Sequence, residues 1–258
     1  DAVFPGFLME EHLYKRLLND ALEIPDAKRV AYILVDGTGQ RKRGKKMENK
    51  LIYKKGYTSN HLFIMGLVYF PDTGVRIPLP RRLYRTKEYC RKHGYRYKSQ
   101  VKLAEQMIQY VKLPDDVLVI VVFDSFFPSE TFINLIRNKK YHFVCSVRDN
   151  RVELNSGAQL KVICQKHISE GRLKDRIQIR ILSKRSQYNH PSAEKYETKT
   201  FITYTEKLTI SKMGEVQVVF SRKDDDEKSE IRYIVTDILS LSTYQILTIY
   251  SYRWQIEL

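Results

Sequence analysis

Apolar residues in the first half of the chain come in short runs divided by polar stretches. The run Val30–Val35 predicts a buried strand over Lys28–Asp36. His61–Phe70 predicts a second strand. Pro71, Asp72 and Gly74 supply a turn and Val75–Leu79 opens a third strand, so these two read as a hairpin. Val101, Ala104, Met107, Ile108 and Val111 recur at helical spacing within Lys98–Val111. Val117–Phe123 is the longest apolar stretch and reads as one buried strand. Ser129–Arg137 predicts a short helix and Tyr141–Val147 a fifth strand. Ahead of these elements, Glu10–Leu22 is amphipathic and is followed by a loop with Pro25.

The texture changes after Arg151. Leu160–Cys164, Arg176–Leu182, Phe201–Tyr204, Val216–Phe220 and Ile231–Thr236 are short alternating segments and predict antiparallel strands. Ser183–Thr198 is polar and reads as a loop. The acidic run Asp224–Glu227 reads as a solvated hairpin tip. Ser242–Leu258 predicts a helix, with Ser242 and Gln245 spaced as a capping box. The expected organisation is a helical segment over 1–28, an α/β core over 29–150 and 231–258, and a β-rich insertion over 151–230. The order of three strands, helix, strand, helix, strand suggests a mixed sheet flanked by helices, as in ribonuclease H-like folds.

Composition narrows the function. The chain has 258 residues, with 45 Lys plus Arg against 30 Asp plus Glu, a net charge of +15. So basic a surface points to a polyanion, most often nucleic acid. No apolar run approaches the roughly 20 residues of a membrane helix, and no secretion signal opens the chain. Opening on Asp1, the chain reads as part of a longer protein. Cys90, Cys145 and Cys164 are too far apart for a zinc knuckle and fit a reducing, cytoplasmic setting.

Two acids occupy equivalent places. Asp36 follows Tyr-Ile-Leu-Val at the expected end of one strand, and Asp124 follows Ile-Val-Val-Phe at the expected end of another. Carboxylates at the carboxyl ends of neighbouring strands converge where open α/β sheets bind ligands. Hard oxygen donors of this kind favour Mg²⁺ or Mn²⁺, and two such ions support phosphoryl transfer. Singly, each aspartate reads equally well as a turn or helix-start residue. A third acid ends the chain in Tyr250-Ser-Tyr-Arg253-Trp-Gln-Ile-Glu257. On an α-helix, positions 250, 253 and 257 share one face; Arg253 and Glu257 could also be a plain surface ion pair.

The spacing Tyr-x2-Arg-x3-Glu resembles the signature of bacterial insertion-sequence transposases of the aspartate-aspartate-glutamate class, in the branch marked by Tyr, Arg, Glu and Lys. Asp36 in Leu-Val-Asp-Gly-Thr resembles that family's first aspartate, and Asp124 in Val-Phe-Asp-Ser its second. The similarity runs from Val30 to Leu258. It implies a ribonuclease H-like catalytic core with a mostly β insertion before the last catalytic helix. It further implies that Asp36, Asp124 and Glu257 bind two divalent ions, and that Tyr250 and Arg253 contact DNA phosphates near the transposon end. The implied reaction is cleavage of that end, then attack of the freed 3′-hydroxyl on target DNA. The implied assembly is a homodimer on paired DNA ends, associated with the bacterial nucleoid. The signature lysine falls beyond Leu258. Some members stack a flipped base on a tryptophan of the insertion domain; here the single tryptophan is Trp254, on the terminal helix.

Two cationic stretches fit a DNA surface. Arg41, Lys42, Arg43, Lys45 and Lys46 follow Asp36 and are expected to ring the site. Arg81, Arg82, Arg85, Arg91, Lys92, Arg96 and Lys98 interleave with Tyr84, Tyr89, Tyr95 and Tyr97, so cations could neutralise phosphates while tyrosines bond them or stack on bases. Val-Asp-Gly-Thr also resembles part of the haloacid dehalogenase phosphatase motif, but that chemistry needs an aspartate where Leu34 stands. Asp72-Thr73-Gly74 resembles half of an aspartic protease site, and no second copy exists. A catalytically inactive, transposase-derived DNA-binding protein is the other reading, and the presence of all three acids speaks against it.

Overall fold

A computed structural model describes residues 13–14, 16–18, 29–41, 48–49, 51–52, 59–182, 196–224 and 229–257. Two compact units divide between Val119 and Ile120.

The first unit is built on two long antiparallel strands, β1 (Val30–Arg41) and, after the two-residue β2 (Leu51–Ile52), β3 (Ser59–Phe70). Their register runs from Tyr32 opposite Tyr69 to Arg41 opposite Asn60. β1 therefore does not stop at Asp36 as its apolar run suggests. Five more residues stay paired with β3, because main-chain pairing does not depend on the exposed polar side chains of Thr38 and Gln40. Positions 42–47 lie outside the described residues. The other edge of β3 takes β2, then β5 (Arg82–Leu83), then β4 (Val75–Pro78), in tandem. The predicted β3–β4 hairpin forms, turning at Gly74 with φ +71°.

Helix α1 (Lys87–His93) has no clear period in the sequence. Thr86 caps its start through the Tyr89 amide, and Gly94 closes it in the left-handed region. Helix α2 (Gln100–Tyr110) is capped by Ser99 and buries Leu103, Ala104, Met107 and Ile108, the face that periodicity predicts. It packs on β3 at Gly66, where a Cβ would collide with Met107 Sδ and Leu79. Of the amphipathic Glu10–Leu22 segment, residues 13–14 and 16–18 are helical, with Tyr14 and Leu18 buried and the Tyr14 ring 5.2 Å from that of Tyr110.

The second unit is a mixed sheet. β6 (Leu118–Phe123) pairs in parallel with β7 (His142–Val147) through helix α3 (Glu130–Asn138), a crossover capped by Ser129. The rest is antiparallel: β7 pairs with β11 (Arg232–Thr236), β11 with β10 (Gly214–Lys223), β10 with β9 (Tyr196–Ile210), and β9 with β8 (Asp175–Leu182). The β-rich segment expected as an insertion thus continues the sheet from β11 outward. One of its expected strands is a helix instead. Leu160–Ser169 forms α4, burying Leu160, Cys164 and His167 at helical spacing of four and three. The apolar character of Leu160–Cys164 covers too little of that helix to show its period. Of the acidic run, Asp224 follows β10 and lies 3.5 Å from Arg176, and positions 225–228 lie outside the described residues.

Helix α5 (Thr243–Ser251) begins with the predicted capping box: Ser242 Oγ accepts from the Gln245 amide and Gln245 Oε1 accepts from the Ser242 amide. The helix does not continue as α to the end of the chain. Tyr252–Glu257 winds as a 3₁₀ helix. All three cysteines are buried and free.

Candidate functional site

Asp36 belongs to the first unit, and Asp124 and Glu257 to the second. Asp36 sits within β1 opposite Met65, only 7% exposed, and its Oδ1 accepts from the Gly37 amide at 2.8 Å. The apolar run before it buries β1 from Ala31 to Val35, so the carboxylate is presented where the strand leaves the core.

Asp124 is the first residue after β6. Its Oδ1 accepts from the Phe126 amide at 2.9 Å, which closes an Asx turn leading to Ser129 and helix α3. Phe127 is buried in this turn, and the Arg151 guanidinium donates to the Pro128 carbonyl. The turn role expected of a lone aspartate is therefore real. It does not exhaust the group, because a carboxylate offers about four acceptor positions. A main-chain amide orients one oxygen of each aspartate, and both carboxylates are hard-oxygen donors of the kind a divalent ion takes. Among the described residues, no group of three or more His, Cys, Asp or Glu stands together as a metal site.

The terminal motif makes its contact on strand β7. In the parallel pair, Phe123 lies opposite Cys145. Asp124 follows Phe123 just after β6, and Ser146 follows Cys145 within β7. Tyr250, 7% exposed, donates its hydroxyl to Ser146 Oγ at 2.9 Å. Helix α5 packs on β7, β11 and β8, and the 3₁₀ segment continues against β8. The start of α5 is tied down by Thr243 and Thr205, whose hydroxyls lie 2.8 Å apart, and by Gln217, which donates to the Leu241 carbonyl at 2.8 Å.

Tyr250 thus faces β7, with its hydroxyl on Ser146. Arg253 is also buried, its guanidinium 5.9 Å from the Tyr250 ring. The 3₁₀ winding changes the expected stripe: within Tyr252–Glu257 three residues per turn align 253 with 256, whereas the seven-residue spacing from 250 to Glu257 suits an α-helix. Glu257 is the last residue of that segment. Ser146 carries no sequence signal, since a lone serine within an apolar strand is unremarkable until its partner is known.

Of the first basic stretch, Arg41 ends β1, and Lys42, Arg43, Lys45 and Lys46 lie outside the described residues. Of the second, Lys92 is paired with Glu48, which also meets His93. Arg81, Arg82, Arg85, Arg96 and Lys98 line a cleft in the first unit. No helix among the described residues is long and apolar enough to cross a membrane.

Residues 31–258 match the family described as Transposase DDE domain, and the chain belongs to that family. No curated protein matches the chain. Among solved structures, the cryo-EM synaptic complex of piggyBac transposase with hairpin DNA is similar at a TM-score of 0.41 and 11% identity, covering 100% of this chain and 46% of that one. The chain therefore spans less than half of that relative's length.

Proposed function

We propose that the chain catalyses divalent-metal-dependent cleavage of transposon ends and transfer of the resulting 3′-hydroxyl into target DNA. The observation that carries this reading is the Tyr250–Ser146 hydrogen bond. It ties the terminal helix to β7, the strand paired with β6, after which Asp124 follows, and this supports reading Asp124 and the terminal motif as parts of one site.

Asp36, Asp124 and Glu257 would hold two Mg²⁺ or Mn²⁺ ions. Bound there, such ions supply an activated nucleophile and charge stabilisation at phosphorus. Asp36 and Asp124 contribute preset orientation, because main-chain amides already fix one oxygen of each. In cleavage, water attacks the phosphodiester and the 3′-oxygen leaves as a hydroxyl. In transfer, that hydroxyl attacks a target phosphodiester, so one P–O bond forms as another breaks.

We assign Tyr250 to docking the helix, since its hydroxyl is engaged by Ser146, and Arg253 to the phosphate side of the site. Arg41, Lys42, Arg43, Lys45 and Lys46 would neutralise backbone phosphates nearby. A homodimer on paired ends is the assembly that the family resemblance implies.

The test is nicking of supercoiled plasmid by the full chain with MgCl₂ or MnCl₂. Metal-dependent nicking that disappears in Asp36→Asn, Asp124→Asn and Glu257→Gln is expected. DNA binding without nicking under either metal would leave a transposase-derived binding protein in its place.

A further inference from the structure

The first unit contains a cleft of about 840 Å³ that the catalytic reading does not use. Its walls come from β5, helix α2 and the segment Tyr95–Lys98 between the two helices. Arg81, Arg85, Arg96 and Lys98 line it, and no carboxylate is among the described residues of its lining. Lys102, also at the cleft, is paired with Glu105 at 2.8 Å. Two aromatic rings stand among these cations. Tyr95 is 48% exposed and Tyr97 is 37% exposed.

The rings are held, not loose. The Arg85 guanidinium lies 4.5 Å from the centre of the Tyr95 ring, and Tyr89 stacks nearly parallel to Tyr95 at 6.1 Å. Lys87 Nζ lies 5.4 Å from the Tyr97 ring, while Tyr84 meets Tyr97 edge-on and the two hydroxyls are 3.3 Å apart. Burial and that hydroxyl pairing push the Tyr84 phenol up to about 12, so Tyr84 stays a neutral partner. Ordered, half-exposed aromatics cost little entropy to use as binding surfaces.

Cations alone would suit any phosphodiester backbone. The tyrosines decide between duplex and single strand. In a duplex the base faces are stacked on one another, so rings recessed among cations would find none to cover. An unpaired strand offers its base faces and its phosphates together, and a cationic groove with aromatic platforms matches both.

We propose that this cleft binds an unpaired DNA strand, with phosphates on Arg81, Arg85, Arg96 and Lys98 and bases against Tyr95 and Tyr97. The proposal rests on the transposase reading, which supplies DNA as the substrate. It adds a second DNA-binding surface, in the first unit, for a strand separated from its complement.

Fluorescence anisotropy of the full chain tests it, with labelled oligothymidylate against a duplex of equal length at matched salt. Tyr95→Ala and Tyr97→Ala should each weaken oligothymidylate binding by roughly 5- to 100-fold, with duplex binding little changed. Tyr97→Phe should restore it. Should an alanine variant misfold by circular dichroism, Arg96→Gln with Lys98→Gln, both exposed, should lower the salt slope on a single strand by about 0.7 for each phosphate left unneutralised. Equal weakening on duplex, or no weakening on either probe, would overturn the proposal. Plasmid nicking by the unsubstituted chain separates the two readings. A chain that nicks but ignores the tyrosines fails here alone. One that binds oligothymidylate through them and never nicks fails in its catalysis alone.

Discussion

Tyr250 donates its hydroxyl to Ser146 across 104 positions of sequence, at 2.9 Å. This bond joins the terminal helix to the strand beside Asp124, so its removal should register in stability as well as in activity. Ser146→Ala leaves the buried Tyr250 hydroxyl without its acceptor, which should cost about 1–3 kcal/mol. Tyr250→Phe removes the polar atom with the bond and should cost about 0.5–1.5 kcal/mol. The double variant should lose less than the sum, since the two residues share one interaction. Urea unfolding measures all three, and a Ser146→Ala chain as stable as the parent would remove the docking role.

Asp124 both closes a turn and stands where metal chemistry is proposed, and substitutions can separate these tasks. Asp124→Asn keeps an oxygen for the Phe126 amide, so stability should stay within about 0.5 kcal/mol of the parent. Asp124→Ala loses that acceptor and should cost about 1 kcal/mol. Both should abolish metal-dependent nicking. Thermal melts beside plasmid assays would show it, and nicking retained in Asp124→Asn would remove this residue from the acid set.

What can be read from the chain follows the range of the forces involved. The capping box at Ser242 is legible because its partners are three residues apart. The α2 core face is legible because its period is regular over the whole helix. The far end of β1 is not, because it depends on pairing with β3, and pairing leaves no mark on Thr38 or Gln40. Helix α4 reads as a strand because five of its residues do not span enough turns to show a period. Asp36, Asp124 and Glu257 stand out as candidates through their local motifs. Ser146 does not, since a hydrogen bond across so long a separation is created by the fold.

Gly66 marks a close approach of α2 to the first unit's sheet. A Cβ there would overlap Met107 Sδ and Leu79, both buried. Gly66→Ala should therefore cost about 1–3 kcal/mol by overpacking. Gly37→Ala makes a matched control on the same strand pair, because the nearest atoms to its Cβ lie 3.9 Å away. A Gly66→Ala chain that melts with the Gly37→Ala control would mean that the helix rides further from the sheet than this packing requires.

Cys145 is fully buried on β7, and burial pushes its thiol well above the ordinary value of 9.0. Arg151 opposes that rise, while the charges of Asp237 and Asp124 add to it. The thiolate is the reactive form, so the folded chain should resist iodoacetamide at Cys145 near neutral pH and label there once denatured. The sign of the linked stability follows. Below the unfolded value of 9.0 the thiol is protonated in both states and its contribution is fully present. Above it the unfolded chain releases a proton that the folded chain keeps, so stability falls as pH rises toward the folded value. Cys145→Ala should lower stability through the lost volume and also make this alkaline decline shallower. Urea unfolding from about pH 7 to about pH 10, a window that spans the ordinary thiol range, checks both. An unchanged slope, or ready labelling of the folded chain, would show that Cys145 is open to solvent.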